Sequence, residues 1–169
     1  MFKKLILMAL LCAPVSLCAQ KFARYDFAEV MQALPAYQTA QTELQASGQR
    51  YESDLQEMQK EIQTKAEKYD KETNDQTPAN IRERRQQELQ EMYQKYQQAQ
   101  EDNYKAFQQE QQQKLQPLQE RVLAAVKEVV TEGGYIMALE KTNSEGIYTV
   151  LNDTLVDDIT AKIKAKLGI

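Results

Sequence analysis

The residue types that most often perform covalent or metal chemistry are scarce in this chain. It has no histidine, and its two cysteines, Cys12 and Cys18, both lie within the first 19 residues. From residue 20 onward, nucleophile–base pairs built on histidine or cysteine are therefore missing, as are nitrogen and sulfur metal ligands. We expect a protein that is not an enzyme and that uses no metal ion or cofactor.

Three aspartates near the C-terminus resemble an acidic metal cluster: Asp153, Asp157 and Asp158. Carboxylates are also favoured at the N-terminus of a helix, where the helix dipole is positive. Thr154 followed by Asp157 is typical of a capping box. We therefore predict that these aspartates cap a final helix whose apolar stripe is Leu155, Ile159, Ile163 and Leu167.

The sequence favours binding of another molecule by exposed side chains over catalysis. The middle of the chain carries aromatic and methionine side chains at helical spacing. One interpretation is that they join two helices. The other is that some face a second molecule, because aromatic rings and flexible thioethers adapt to varied surfaces. The candidates for this second role are Tyr51, Met58, Tyr69, Met92, Tyr96, Tyr104 and Phe107.

Three arginines near the middle of the chain, Arg82, Arg84 and Arg85, suit phosphate groups because of their planar guanidinium groups. They are interleaved with acidic residues, which favours a solvated, salt-bridged surface. The alternative is contact with anionic lipid headgroups or lipopolysaccharide. Further along, Pro117 lies inside a helical pattern and removes a bond to the carbonyl of Gln113. It is predicted to be a hinge, with a fixed kink as the alternative.

These residues are positioned by two long helices. Between Gly48 and Gly133 there is no glycine, and the sparse apolar residues fall at helical spacing. Asn74 is predicted to end the first helix in the left-handed conformation, and Thr77-Pro78 to start the second. With the tip at residues 74–78, the helices are antiparallel and residues 37–114 form an arm. A symmetric fold about residue 76 places Tyr37 near Leu115.

The second helix has a repeat of eleven residues. Tyr93, Tyr104, Leu115 and Val126 are spaced by eleven, as are Tyr96, Phe107, Leu118 and Val129. This spacing corresponds to about 3.67 residues per turn, which favours straight or slightly right-handed winding. From Leu118 to Val130 the helix is most apolar, and we expect this part to be buried.

The first 19 residues are predicted to be a secretory signal. Lys3 and Lys4 precede an apolar run from Leu5 to Ala13, and cleavage is expected near Ala19. Removal of the two lysines leaves 19 basic against 25 acidic residues, a net charge of −6. An acidic chain argues against nucleic-acid binding, which depends on neutralising phosphates. We therefore expect an exported, periplasmic protein.

Residues 20–36 and 115–169 are predicted to form a small β-rich body. Residues 22–25 suit a strand, and Asp26 with Glu29 suits a capping box at the start of a short helix. Residues 135–139 and 147–151 suit a β-hairpin. Because so small a body has open strand edges and a limited core, we expect it to oligomerise. The predicted fold class is α+β, a helical hairpin inserted in an oligomerisation body.

The chain resembles the Skp (OmpH) family of periplasmic chaperones over nearly its whole length after the signal. The resemblance rests on Tyr25-Asp26-Phe27-Ala28-Glu29-Val30-Met31, on Leu34-Pro35-Ala36-Tyr37, on the Gln/Glu/Lys-rich hairpin, and on the segment from Tyr135-Ile136-Met137-Ala138-Leu139 to Asp157-Asp158-Ile159-Thr160. It implies a homotrimer in which three helical hairpins hang from a shared β-body. It also implies that the space between them holds unfolded outer-membrane proteins without ATP.

Two functional hypotheses follow. The first is a periplasmic holdase whose partners are unfolded outer-membrane proteins, with transient membrane-surface contact through the arm tips. The alternative is a coiled-coil structural adaptor that bridges envelope components through one stable partner.

Overall fold

The structure, a computed structural model, describes residues 21–141, 152 and 154–169. Its elements are β1 (Lys21–Tyr25), α1 (Phe27–Ala33), α2 (Pro35–Glu72), α3 (Ala79–Gly133), β2 (Tyr135–Glu140), β3 (Val156–Asp158) and α4 (Thr160–Leu167). The architecture is α+β, as predicted. The predicted signal and the predicted strand at residues 147–151 lie outside the described residues.

The chain divides into two compact units. The arm unit is Leu34–Arg121, and the body unit combines Met1–Ala33 with Val122–Ile169. The single helix α3 contributes to both, with its first part in the arm unit and its last part in the body unit.

The body unit contains a three-stranded parallel sheet in the order β2-β1-β3. The central strand β1 pairs Ala23 with Ala138 of β2 and with Asp157 of β3. Ala23 and Tyr25 are buried, whereas Phe22 and Arg24, which alternate with them along the strand, are half-buried. Among the described residues, β2 and β3 are the edge strands.

Helical spacing selects the apolar residues that form the core of the body unit. Val122, Ala125, Val126 and Val129 of α3 are buried at intervals of three and four. On the C-terminal segment, Ile159, Ile163 and Leu167 repeat every four residues and are also buried. The prediction that all of Leu118 to Val130 is buried is wrong, since Leu123 is 50% exposed. Leu123 lies about 100° around α3 from Val122, outside the buried stripe.

Both capping predictions are corrected in part. Asp26 Oδ1 does accept a hydrogen bond from Glu29 N (2.8 Å), but Asp26 N donates to Thr160 Oγ1 (3.0 Å). Glu29 instead forms an ion pair with Lys164 (2.7 Å). In a full capping box the Glu29 side chain would accept a hydrogen bond from Asp26 N. Here Thr160 accepts that bond in its place.

Two of the three C-terminal aspartates lie on a strand, and Asp153 lies outside the described residues. Asp157 and Asp158 belong to β3, and α4 begins only at Thr160. Asp158 Oδ1 accepts from Thr160 N (3.0 Å), and Asp157 Oδ2 accepts from the Tyr135 hydroxyl (2.7 Å). Leu155 precedes the strand and is 68% exposed, so it is not part of a helix stripe. Pairing with β1 competes with local helix capping and prevails.

Candidate functional site: the helical arm

Few apolar contacts hold the two helices of the arm unit together. The rings of Tyr51 and Phe107 meet edge to face, with centroids 6.4 Å apart and planes at 86°. Leu44 and Ile62 of α2 are buried, 5% and 4% exposed. Aromatic edge-to-face pairs contribute about 0.5–1.5 kcal/mol beyond burial. The helices therefore join along a narrow seam, which leaves most of each helix surface in water.

Polar side chains bridge the same seam. Lys114 forms ion pairs with Glu43 (2.5 Å) and with Glu110 (3.8 Å), and Ser47 Oγ donates to Glu110 Oε1 (2.9 Å). Ser47 is only 9% exposed. Because Lys114–Glu43 and Ser47–Glu110 join residues far apart in sequence, these two contacts fix the register of the two helices, whereas the Lys114–Glu110 pair lies within α3.

The observed register differs from a symmetric fold about residue 76. Glu43 reaches Lys114, about five residues further along α3 than the symmetric prediction. This offset moves the residue expected to face Tyr37 from Leu115 to about residue 120, although Gln38 and Leu115 still line one groove. Side chains lean toward the N-terminus of their own helix, so in an antiparallel pair the contacting residues are offset.

The tip of the arm unit is closed by a second polar cluster. Lys65 Nζ and the Tyr69 hydroxyl both donate to the Glu88 carboxylate. Hydrogen bonds from Lys65 and then Tyr69 lower the pKa of Glu88. The hydrogen bond with Glu88 raises the pKa of Lys65 and, likewise, the pKa of Tyr69.

Arg85 belongs to this cluster. It donates to Glu72 Oε2 (2.9 Å) and Thr73 Oγ1 (2.7 Å), and its guanidinium lies 5.0 Å from the Tyr69 ring centroid. Its side chain is only 18% exposed. Of the three arginines predicted to contact lipid, Arg85 is thus engaged within the arm unit, whereas Arg82 and Arg84 are exposed.

The loop at the tip uses a different turn from the one predicted. α2 ends at Glu72 with Thr73 in an extended conformation, and no described non-glycine residue has a positive φ. Asn74 therefore does not end the helix in the left-handed conformation. Its Oδ1 instead accepts from Gln76 N (2.9 Å), while its N–H donates to Thr77 Oγ1 (2.9 Å). Asparagine favours such side-chain turns as readily as a left-handed cap.

The candidate binding residues fall into two groups. Tyr51, Phe107 and Tyr69 take part in contacts between the helices. Met58 and Met92 line a cavity of about 300 Å³ together with Ile62 and charged residues of both helices. Tyr51, Phe107 and Tyr69 thus contact the facing helix, whereas Met58 and Met92 are lining residues of this cavity.

Other aromatic side chains on α3 face outward. Tyr104 is 63% exposed, and its hydroxyl accepts from Gln108 Nε2 (2.6 Å), while Tyr96 is half-buried. Tyr93, absent from the candidate list, is 54% exposed. Its spacing of eleven from Tyr104 was the available signal, because residues eleven apart share a helix face.

Pro117 lies inside α3, which runs from Ala79 to Gly133 without interruption, and its side chain is exposed. No described helix is long and apolar enough to cross a membrane. The described residues also contain no group of three or more His, Cys, Asp or Glu suited to hold a metal ion.

A long antiparallel helical hairpin in one unit and a small parallel sheet in the other define an α+β protein. A family model described as outer membrane protein (OmpH-like) matches residues 21–167, and the chain therefore belongs to the OmpH-like family. At the family level this implies a periplasmic chaperone of outer-membrane proteins and not an enzyme. No curated protein matches the chain.

Proposed function

We propose that the protein is a periplasmic holdase that keeps unfolded outer-membrane proteins from aggregating, without ATP. The observation that carries the proposal is the surface of the arm unit. Its helices bury few apolar side chains between them, yet Tyr93 and Tyr104 stay exposed among glutamines on α3. Isolated amphipathic rings on a polar helix suit many weak contacts with varied unfolded chains.

The proposal includes self-association, with three copies forming the holding cavity. In the body unit, the apolar side chains of Leu123 on α3 and of Ile136 and Met137 on β2 are 50%, 54% and 44% exposed. Edge strands and exposed apolar side chains both favour pairing with further copies. The copy number of three comes from family resemblance.

Contact with a membrane surface is a further part of the proposal. Arg82 and Arg84 are exposed near the tip, and guanidinium groups suit lipid phosphates. Arg85 is the weakest candidate of the three because its donors already bind Glu72 and Thr73.

Export and cleavage near Ala19 are also part of the proposal. They would be tested by sequencing the N-terminus of protein recovered from the periplasm.

The main test is suppression of aggregation. A urea-unfolded β-barrel membrane protein is diluted into buffer with and without the purified protein, in the absence and presence of ATP. We expect suppression that is unaffected by nucleotide. Absence of suppression at a molar excess of protein would refute the proposal.

A pair of variants tests the role of the arm. Tyr93→Gln with Tyr104→Gln removes exposed rings while keeping good helix formers, and we expect suppression to weaken several-fold. The control, Leu155→Gln, removes an exposed apolar side chain from the body unit and should have no effect. Equal effects of the two would mean that the arm rings have no special role. Capture of one folded envelope protein, in place of many unfolded ones, would favour the adaptor hypothesis.

A further inference from the structure

A groove between α2 and α3 in the arm unit differs in its lining from the cavity beside Met58. It has a volume of about 560 Å³, and its floor includes Leu44, Phe107 and Leu115. Its walls carry five glutamines and one threonine, namely Gln38, Gln41, Thr42, Gln45, Gln49 and Gln111. None of its lining residues is charged, although 27% of the chain is. The cavity beside Met58 is lined mostly by glutamates and lysines.

Four glutamines of the groove, Gln41, Gln45, Gln49 and Gln111, have free hydrogen-bonding capacity. Gln45, Gln49 and Gln111 are exposed, and none of them has a hydrogen-bond partner among the residues that the structure describes. Gln41 uses one amide N–H on the Tyr37 hydroxyl (2.9 Å) and keeps the other. A primary amide offers two donors and an acceptor with two lone pairs. The groove thus presents neutral donors and acceptors above an apolar floor.

Gly48 is a second, independent observation. It lies in the interior of α2 and lines the groove, where glycine costs about 1 kcal/mol relative to alanine. An added Cβ would lie 3.7 Å from Phe107 Cε2, an ordinary contact, so the packing of the arm does not require glycine. Glycine is also used where another backbone must approach closely. Apart from Phe107 Cε2 (3.7 Å) and Cζ (3.9 Å), the added Cβ would have no heavy-atom neighbour within 4 Å beyond its own helix and adjoining residues.

We propose that this groove binds an extended, unpaired polypeptide segment through its main chain. The proposal rests on the holdase function and names the mode of client recognition. An extended main chain offers N–H and C=O groups without net charge, which matches the uncharged walls. Charged ligands find no counter-charge there, and a folded helix has already paired its own main-chain groups.

The spacing of the glutamines fits an extended chain. Gln41, Gln45 and Gln49 are four residues apart, so they repeat every 6.0 Å along the helix axis at about 1.5 Å per residue. Main-chain groups on one edge of an extended segment repeat every two residues, or about 6.6–6.8 Å. Over two repeats the mismatch is about 1–2 Å, which flexible side chains accommodate. Alternate client side chains then lie on the apolar floor, as in strand-addition recognition.

The test uses a fluorescent ten-residue peptide of alternating valine and threonine, titrated by anisotropy up to millimolar protein. Its partner is the same peptide N-methylated at every second residue, which removes the main-chain donors along one edge. We expect the unmethylated peptide to bind about tenfold more tightly, the effect of losing one or two hydrogen bonds. Equal affinities, or no saturable binding of either peptide, would overturn the proposal.

Matched variants locate the site. The groove variant Gln45→Glu/Gln49→Glu/Gln111→Glu should lose about tenfold in affinity for the unmethylated peptide. The control variant Gln86→Glu/Gln90→Glu/Gln94→Glu makes the same charge change at exposed α3 positions outside the groove and should bind as the wild type does. A similar loss in both variants would assign the effect to charge and refute recognition by the amides.

Gly48→Ala adds a test that a folding defect cannot mimic. It should stabilise the arm and yet weaken peptide binding several-fold, because the methyl group occupies the open groove. Unchanged binding would contradict the role of Gly48. If the wild-type protein suppresses aggregation while the groove variant binds the peptide normally, only this inference fails. If the wild type does not suppress aggregation, the holdase proposal fails.

Discussion

Replacing Gly133 with alanine adds a single methyl group at the end of α3, next to the ring of Tyr135. The new Cβ would lie 2.2 Å from Tyr135 Cε2, 2.6 Å from Cδ2 and 3.2 Å from Cζ, so the ring must move. It is held in place because Tyr135 is 8% exposed and its hydroxyl donates to Asp157 (2.7 Å) and accepts from Lys162 (2.8 Å).

The expected cost follows from these contacts. Overpacking costs about 1–3 kcal/mol. The two hydrogen bonds of the Tyr135 hydroxyl to charged groups contribute about 1.5–3 kcal/mol each, and a displaced ring would lose only part of that energy. Gly133 does not have a positive φ, so alanine fits its backbone and returns up to about 1 kcal/mol of helix propensity. We expect Gly133→Ala to destabilise the body unit by about 2 kcal/mol.

The assay is amide hydrogen exchange, since it reports on the body unit separately. The Ile163 N–H bonds to the Ile159 carbonyl (3.0 Å), and 2 kcal/mol should speed its exchange about thirtyfold, at 1.4 kcal/mol per tenfold change. Protein concentration is held constant because association also stabilises.

Two comparisons make the prediction strict. In a Tyr135→Ala background, Gly133→Ala should become neutral or stabilising, which gives a coupling energy of about 2–3 kcal/mol. Gly48→Ala, where the added Cβ lies at 3.7 Å from its neighbour, should slow exchange of arm amides. Destabilisation by Gly133→Ala that persists without the Tyr135 ring would refute the steric explanation.

Three further predictions concern the tip, Pro117 and the body unit. The pKa of Glu88 is lowered from 4.5 in the folded protein, so its contribution to stability is present above pH 4.5 and is lost as the pH falls through the lower folded value. Amide exchange at the tip should accelerate over that pH range. Glu88→Gln should abolish this acceleration and also lower the pKa of Tyr69, measured by ultraviolet absorbance. Pro117→Ala should stabilise α3 by up to about 3 kcal/mol. If Pro117 is a hinge, scattering profiles of the wild type should indicate a broad range of arm positions that the variant lacks. If it is a fixed kink, both proteins should show an equally narrow range. Ile136→Lys places a charge on an exposed apolar site of β2 and should lower the mass of the protein in solution; an unchanged mass would exclude this side chain from the self-association surface.

Helices and their ends followed closely from the sequence. The break at Pro35, the start of α3 next to Pro78 and the strand before Asp26 are all local signals, and the structure confirms them. Asn74 was misinterpreted because a left-handed cap and a side-chain turn use the same residue type. The C-terminal segment was misinterpreted because helix capping and strand pairing compete for the same aspartates.

The candidate site was predictable in part. Spacing of apolar residues identified the arm and its aromatic side chains, but it did not separate Phe107 on the seam from Tyr104 in solvent. That distinction depends on which face of α3 meets α2. Similarly, Arg85 looks the same as Arg82 and Arg84 in sequence, yet only Arg85 reaches Glu72 across the tip.

The sequence by itself determined the long helices, their break and the OmpH-like family, because helix formation depends on neighbours three and four residues away. Tertiary structure alone decided that β1 lies between β2 and β3, that Glu43 meets Lys114, and that Gly133 makes room for the Tyr135 ring. The strand order and the Glu43–Lys114 ion pair each join residues widely separated along the chain. The fit at Gly133 depends on where the body unit holds the Tyr135 ring. Local residue preferences cannot specify such pairings, which are set by packing once the elements have formed.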